Sequence, residues 1–285
     1  MEVRGYQNRN KAIQLTSMKI LYAATEIAPF ARMTHTADLL RFLPASLQDQ
    51  GFEIRILLPK FGTINDRRNR LHEVIRLSGI EVEVGENVES MKIKVASIPN
   101  AKLQVYFLDN DKYFKRKGMF TNPKTDEFYD DNDERLAFYN KGVIETVISL
   151  GWEPDIIHCH DWPAGLIPLL VREKYNNEDI FKNTSIVYNL HHPENKGFFE
   201  GTRILELLGL PESVDLDSFV EDGKVNLLKA GLRYSDHVVT GNHLSDQFDD
   251  LFKELNIKPT KIQGSPEDVS KKFAEYYREI AGEDE

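Results

Sequence analysis

Glycine is missing where an α/β chain most often needs it. From Ala24 to Leu40 the sequence reads ATEIAPFARMTHTADLL, without one glycine. That stretch follows an apolar run beginning at Met18 and leads into a helical pattern near Thr36. A strand-to-helix turn is a common phosphate cradle, and glycine is what lets backbone amides close on the phosphate. Neither a Gly-x-Gly-x-x-Gly nor a Gly-x-x-x-x-Gly-Lys pattern occurs, which argues against a dinucleotide dehydrogenase or a P-loop enzyme. Cysteine is scarcer still. Cys159 is alone among 285 residues, so no internal disulfide can form, and a reducing cytoplasm is the expected compartment. No apolar run approaches the roughly 20 residues of a membrane span. Positive charge is in deficit. With 36 Lys and Arg against 46 Asp and Glu, the net charge of −10 argues against nucleic acid or an anionic membrane as the main partner.

What is present is alternation. Short runs rich in Ile, Val, Leu and Tyr predict strands at 19–24, 53–58, 91–97, 104–108, 155–160, 185–190 and 237–240. Several are almost wholly apolar, as in strands buried on both faces. Helical patterns cover 36–50, 133–150, 164–175, 225–234, 243–255 and 266–280. In the second, Leu136, Tyr139, Val143, Val147 and Leu150 recur at spacings of three and four, and Asp133 is placed to cap it. The expected fold is therefore α/β: a Rossmann-like, doubly wound, mostly parallel sheet. Residues 82–108 have no intervening helix and read as an antiparallel excursion. Residues 194–223 read as loop with a short helix near 203–208. Three segments are expected: a flexible extension at 1–17, a lobe at 18–257, and a linker with a terminal helix and acidic tail at 258–285.

In an open parallel sheet, ligands bind beyond the carboxyl ends of the strands. The first strand's end supplies Glu26, Arg32, His35 and Asp38. The strand 155–160 ends in His158-Cys159-His160-Asp161-Trp162, the next carries Asn189, His191 and His192, and the last carries Gly241, Asn242 and His243. His158 and His160 project to one side of their strand and Cys159 to the other. Any one of these histidines has an ordinary reading as a packed residue bonded to backbone. Their gathering at strand ends points to a ligand site. His158, His160, Asp161 and His191 are competent zinc ligands, but no Cys-x-x-Cys or His-Glu-x-x-His motif supports a metal, so none is expected. Asp38 and Asp49 are ordinary helix-surface residues, and the run 66–70 is most simply a solvated loop.

Taken in order, these stretches resemble the starch and glycogen synthase family. The resemblance rests on MKILYAATEIAPFA (18–31), TADLLRFLPASLQDQGFEIRILLPKFG (36–62), LDNDKYFKRKGMF (108–120), DDNDERLAFYNKGVIE (130–145), PDIIHCHDWPAGLIPLLV (154–171), VYNLHHPENKGFF (187–199) and NLLKAGLRYSDHVVT (226–240). HCHDW and LLKAG are its most specific parts. It implies the N-terminal lobe of a two-lobed GT-B glycosyltransferase. Such enzymes move glucose from ADP-glucose or UDP-glucose to an α-1,4-glucan, with retention of configuration and without a metal or other cofactor. It also implies that His160, with Asp161 beside it, contacts the donor glucose, and that the loop at Arg32, Thr34, His35 and Asp38 faces the sugar nucleotide.

The sequence departs from that family at the loop. The family's Lys-Thr-Gly-Gly-Leu-Ala-Asp is here Arg32-Met33-Thr34-His35-Thr36-Ala37-Asp38. Asp38 is kept, the lysine is an arginine, and both glycines are replaced by side chains that crowd a phosphate. The family's Thr-Ile-His-Asn becomes Asn189-Leu190-His191-His192, its Val-Ser-Pro becomes Gly241-Asn242-His243, and Pro163 stands where histidine is usual. The second lobe, with its diphosphate-binding cations, is not expected within 285 residues. An impaired donor site follows, and a lobe inactive by itself. The expected partners are an α-glucan, glycogen or a maltooligosaccharide, with ADP-glucose or UDP-glucose poorly held. An apolar face left by the second lobe would favour a protein partner or a homodimer. Phe30, Trp162, Phe198 and Phe199 are candidates to stack on sugar. A non-catalytic glucan- or partner-binding protein is one alternative, and a metal-dependent hydrolase built on the histidines is another.

Overall fold

The computed structural model describes residues 17–191, 197–241, 244 and 248–282. The expected extension lies outside them except for Ser17, and so do two site candidates, His192 and Asn242. Every strand expected from the apolar runs forms, and six more appear. In chain order they are β1 Lys19–Ala23, β2 Glu53–Pro59, β3 His72–Glu73, β4 Ile80–Val84, β5 Asn87–Ser97, β6 Gln104–Asp109 and β7 Ile156–His160. There follow β8 Ser185–Leu190, β9 Phe198–Glu200, β10 Val220–Glu221, β11 Lys224–Asn226, β12 His237–Thr240 and β13 Thr260–Lys261.

The main sheet runs β13-β12-β8-β7-β1-β2-β6-β5-β3, with β4 paired to β5. Its pairings from β13 to β6 are all parallel. The antiparallel excursion is there too: β5 pairs antiparallel with β3, β4 and β6. The chain builds outward from β1 to β2 and β6 on one side, then crosses to β7 on the other. Strand order reverses at β1, and that reversal opens a crevice at the carboxyl ends of β1 and β7. β7 is buried throughout, and β1 at all but its first residue, as their apolar runs require of strands covered on both faces. No helix of the described residues is long and apolar enough to cross a membrane.

Local chemistry explains where the helices differ from their periodicity. Helix Asn132–Leu150 is not capped by Asp133. Asp133 lies inside its first turn and pairs with Arg203 at 2.5 Å, while Gly151, at φ 57°, closes the far end. The pattern at 164–175 is three pieces: a 3₁₀ turn at Trp162–Ala164, an α-turn at Leu166–Leu169 and a π-turn at Leu170–Lys174. Pro168 removes a donor from the middle of the run, and the register widens behind it. Residues 225–226 belong to β11. Asn226 then caps helix Leu227–Tyr234 by accepting from the Lys229 amide at 3.1 Å. The region read as loop contains a small antiparallel sheet, β10-β11-β9, besides helix Arg203–Glu206.

The last segment is part of the layered structure. β13 adds to the sheet edge beside β12. Helix Pro266–Ile280 starts from a capping box between Ser265 and Asp268 and buries Val269, Phe273, Ala274 and Tyr277. It lies along helix Thr36–Asp49, with Ser270 Oγ 2.8 Å from Ser46 Oγ.

Two glycines set how close the second half packs to the sheet. A Cβ on Gly231, in the LLKAG stretch, would lie 2.6 Å from Cζ of Tyr188. A Cβ on Gly165 would lie 2.3 Å from the Leu227 carbonyl oxygen. The Tyr188 hydroxyl thereby reaches the Asp161 carbonyl at 3.0 Å, so this packing fixes the turn that carries Asp161. Overpacking of this kind costs about 1–3 kcal/mol. Gly231→Ala is expected to lower the unfolding free energy by that amount, read as a lower urea midpoint at unchanged m-value. An unaltered midpoint would show that the helix does not press on Tyr188.

Candidate functional site

Three strand ends converge. β7 presents His158 and His160 on one face, with ring centres 4.1 Å apart, and β8 runs on into His191. His160 Nδ1 lies 3.0 Å from His191 Nε2, and the two rings are within 6° of parallel. Tyr22 of β1 stacks on His160 at 5.5 Å. Beneath them, Tyr277 of the terminal helix bonds His158 Nδ1 at 2.5 Å and the Tyr22 hydroxyl at 2.9 Å. His158 and His160 are buried. Desolvation is the main reason that both imidazoles are held well below their ordinary range, and His191 adds to it. His158 and His160 are thus neutral rings at the centre of the column. Cys159 points the other way, and burial pushes its thiol up, so it is no nucleophile.

Asp161 turns the chain out of β7 with φ 55° and ψ −177°, a conformation an L-residue adopts only under constraint. Its Oδ1 accepts the His191 amide at 2.8 Å. Burial raises its carboxyl to about 7. The His191 amide works against that rise, and the charge of Glu26 adds to it.

The loop that lacks glycine closes on itself. Glu26 Oε2 accepts from the amides of Met33 at 2.7 Å and Thr34 at 2.8 Å. Glu26 Oε1 accepts the Thr34 hydroxyl at 2.5 Å. A carboxylate therefore takes the donors that would face a phosphate. Arg32 is turned to Asp38 in a bidentate pair, with one contact at 2.7 Å. Residues Met33, Thr34 and Thr36 line two clefts at once, so the loop divides them.

The first cleft, about 540 Å³, holds Arg32, His35, Asp38, Asn189 and His191 against Phe273 of the terminal helix. Asn189 is buried, and its Oδ1 has no hydrogen-bond partner. The second cleft, about 470 Å³, is lined by Glu26, His160, Asp161 and the rings of Phe120, Phe128 and Trp162. His160 Nε2 is buried and likewise lacks a partner. A buried polar atom without a partner calls for one from a ligand or water. Arg32 is the one lysine or arginine among the described residues of either lining.

Of the strand-end candidates, Glu26, Arg32, Thr34, His35, Asp38, His160, Asp161 and His191 each line at least one of the two clefts, whereas His158 lines neither. Among the described residues no three His, Cys, Asp or Glu converge on a possible metal position. Of the aromatics singled out, Trp162 lines the second cleft, whereas Phe30 packs on Phe107 at 5.1 Å. Phe199 is buried at 6.1 Å from Trp162. Tyr22, Tyr277, Phe120 and Phe128 escaped the sequence reading. Tyr22 and Phe120 lie in stretches that carry the family resemblance, 18–31 and 108–120, but neither stretch marks the ring itself. Among the described residues, large apolar side chains stay exposed only at Met33, Ile75 and Val88.

A starch synthase catalytic domain model matches residues 19–243. The chain belongs to that family. Curated glycogen synthases from Chlorobaculum parvum and Chlorobaculum tepidum are each 44% identical, over 223 and 225 residues. The match covers 78–79% of this chain but 45–46% of those proteins. The chain thus spans about half the length of the curated relatives it matches. Among solved structures, the catalytic domain of starch synthase IV from Arabidopsis thaliana, bound to ADP and acarbose, is similar at a TM-score of 0.73 and 20% identity. It covers 87% of this chain and 52% of its own, and shows that the fold is that of a starch synthase catalytic lobe. The family match stops at residue 243, before β13 and the helix that supplies Tyr277 and Phe273.

The neutral imidazoles give the site a pH signature. His158 stays uncharged in the folded state, while the unfolded chain takes up a proton near pH 6.5. The unfolded state binds more protons below that pH, so this contribution is complete above it and is lost as pH falls. Against a His158→Phe variant, the parent is expected to lose stability below pH ~6.5 by up to ~1.4 kcal/mol per pH unit. Asp161 has the opposite slope but is common to both proteins and cancels. Urea midpoints of the two proteins from pH 5 to 8 check this, and parallel profiles would refute a neutral His158.

Proposed function

We propose that this lobe binds an α-glucan and does not by itself transfer glucose from ADP-glucose or UDP-glucose. One observation carries the reading: His160, whose buried Nε2 has no hydrogen-bond partner, lines a cleft walled by Phe120, Phe128 and Trp162. A neutral imidazole is able to accept from or donate to a sugar hydroxyl, and aromatic walls suit the apolar faces of glucose rings. Asp161, poised near neutrality, is a second partner for hydroxyls on the same rim.

The same geometry opposes phosphate. Transfer from a sugar nucleotide needs cations or free amides on the diphosphate. Here Glu26 holds the loop amides and Asp38 holds Arg32. In this reading His160 and Asp161 keep the sugar contacts that the family resemblance implies for them. The segment Arg32, Thr34, His35 and Asp38 separates the clefts and does not grip a diphosphate.

The test uses the chain as it stands. Maltoheptaose is expected to bind by titration calorimetry, and His160→Ala to weaken it about tenfold, or ~1.4 kcal/mol. Radiolabelled ADP-glucose and UDP-glucose are expected to leave no label in glycogen above the His160→Ala background. Incorporation that disappears in His160→Ala would overturn the reading and make this a transferase in its own right.

A further inference from the structure

A third cavity lies away from both clefts and shares no lining residue with either. It measures about 700 Å³, and its lining includes Arg68, Arg70 and His72 but no acidic residue. In a chain of net charge −10 that is a local reversal of sign. The nearby carboxylates are engaged elsewhere. Asp66, on the same short helix as Arg68, pairs with Lys60 at 2.8 Å and Lys94 at 2.7 Å, and Asp109 also pairs with Lys94. β3 pairs His72 with Val95 and Glu73 with Lys94. Strand alternation thus puts Glu73 on the face opposite His72. Among the described residues, Arg68, Arg70 and His72 form no ion pair. The rest of the lining is uncharged: Asn69, Asn100 and Gln104 supply amide groups, and Phe30, Val95 and Ile98 are apolar.

We propose that this cavity binds a phosphorylated sugar. Guanidinium groups match a phosphate oxyanion through forked hydrogen bonds. The amide side chains suit sugar hydroxyls, and the volume is that of a small-molecule site, far larger than inorganic phosphate fills. The phosphate ester is carried either by a free sugar or by a glucan, and the chemistry recognised is the same.

Titration calorimetry on the whole chain tests this. Glucose 1-phosphate stands for the free source and singly phosphorylated maltoheptaose for the glucan-borne one. Glucose and inorganic phosphate serve as partial ligands. At least one phosphorylated sugar is expected to bind about tenfold more tightly than inorganic phosphate. That binding should weaken as salt rises from about 50 to about 200 mM. Arg70 has φ 53°, a conformation glycine adopts freely, so Arg68→Gln with Arg70→Gly removes two charges without straining the backbone. This double variant is expected to melt with the parent, to bind maltoheptaose as the parent does, and to lose phosphorylated-sugar affinity about tenfold or more. The proposal is overturned if the parent binds neither phosphorylated sugar or binds inorganic phosphate equally well. It is also overturned if a folded double variant binds like the parent. The double variant leaves the His160 cleft untouched, so glucose 1-phosphate affinity lost in it reports this cavity whether or not maltoheptaose binds that cleft.

Discussion

A column of buried rings, with the uncharged imidazoles of His158 and His160 at its centre, holds the open end of the sheet together. Tyr22 from β1, His158 and His160 from β7, and His191 after β8 meet Tyr277 from a helix more than a hundred residues further along the chain from His158. His158 and His160 have given up their hydration, so a proton arriving at either charges a desolvated ring. That condition orders the site. It aligns three strand ends, draws the terminal helix over the sheet, and leaves Nε2 of both His158 and His160 buried without a hydrogen-bond partner.

The loop after β1 answers to a different constraint. Without glycine it has no backbone free to wrap an anion from outside, and Glu26 supplies the anion from within. An internal carboxylate and an external phosphate compete for the same amides. The internal one is tethered and already dehydrated, so it holds them at no cost in translational freedom. The same segment then acts as a partition, with an aromatic compartment against Trp162 on one side and a second compartment against Phe273 on the other.

Much of this was legible in the residues. β1, β7 and β8 announced themselves because strands covered on both faces must be apolar along their whole length. His160, Asp161 and His191 stood out because ligand sites in such sheets lie at strand ends, and a resemblance spread over seven stretches, most specific at HCHDW and LLKAG, named the family. Three things were not legible. The interruption near Pro168 needed knowledge that the register widens there and does not end. The short strands β9, β10, β11 and β13 are too brief to show a period. The bond from Tyr22 to Tyr277 joins residues 255 apart in sequence, and nothing local marks either tyrosine as the other's partner. The closure of Glu26 on the loop likewise depends on where the chain folds, since a glutamate seven residues before Met33 reads as unremarkable.

Cys159 sits back to back with the histidines, fully enclosed at the centre of the sheet. A thiol there meets reagent only when β7 parts from its neighbours. With no second cysteine to confuse the signal, the rate of its alkylation becomes a clock for that parting. It counts the openings of the innermost strand from a single atom, in the unmodified protein, with or without an occupant in the crevice in front of it.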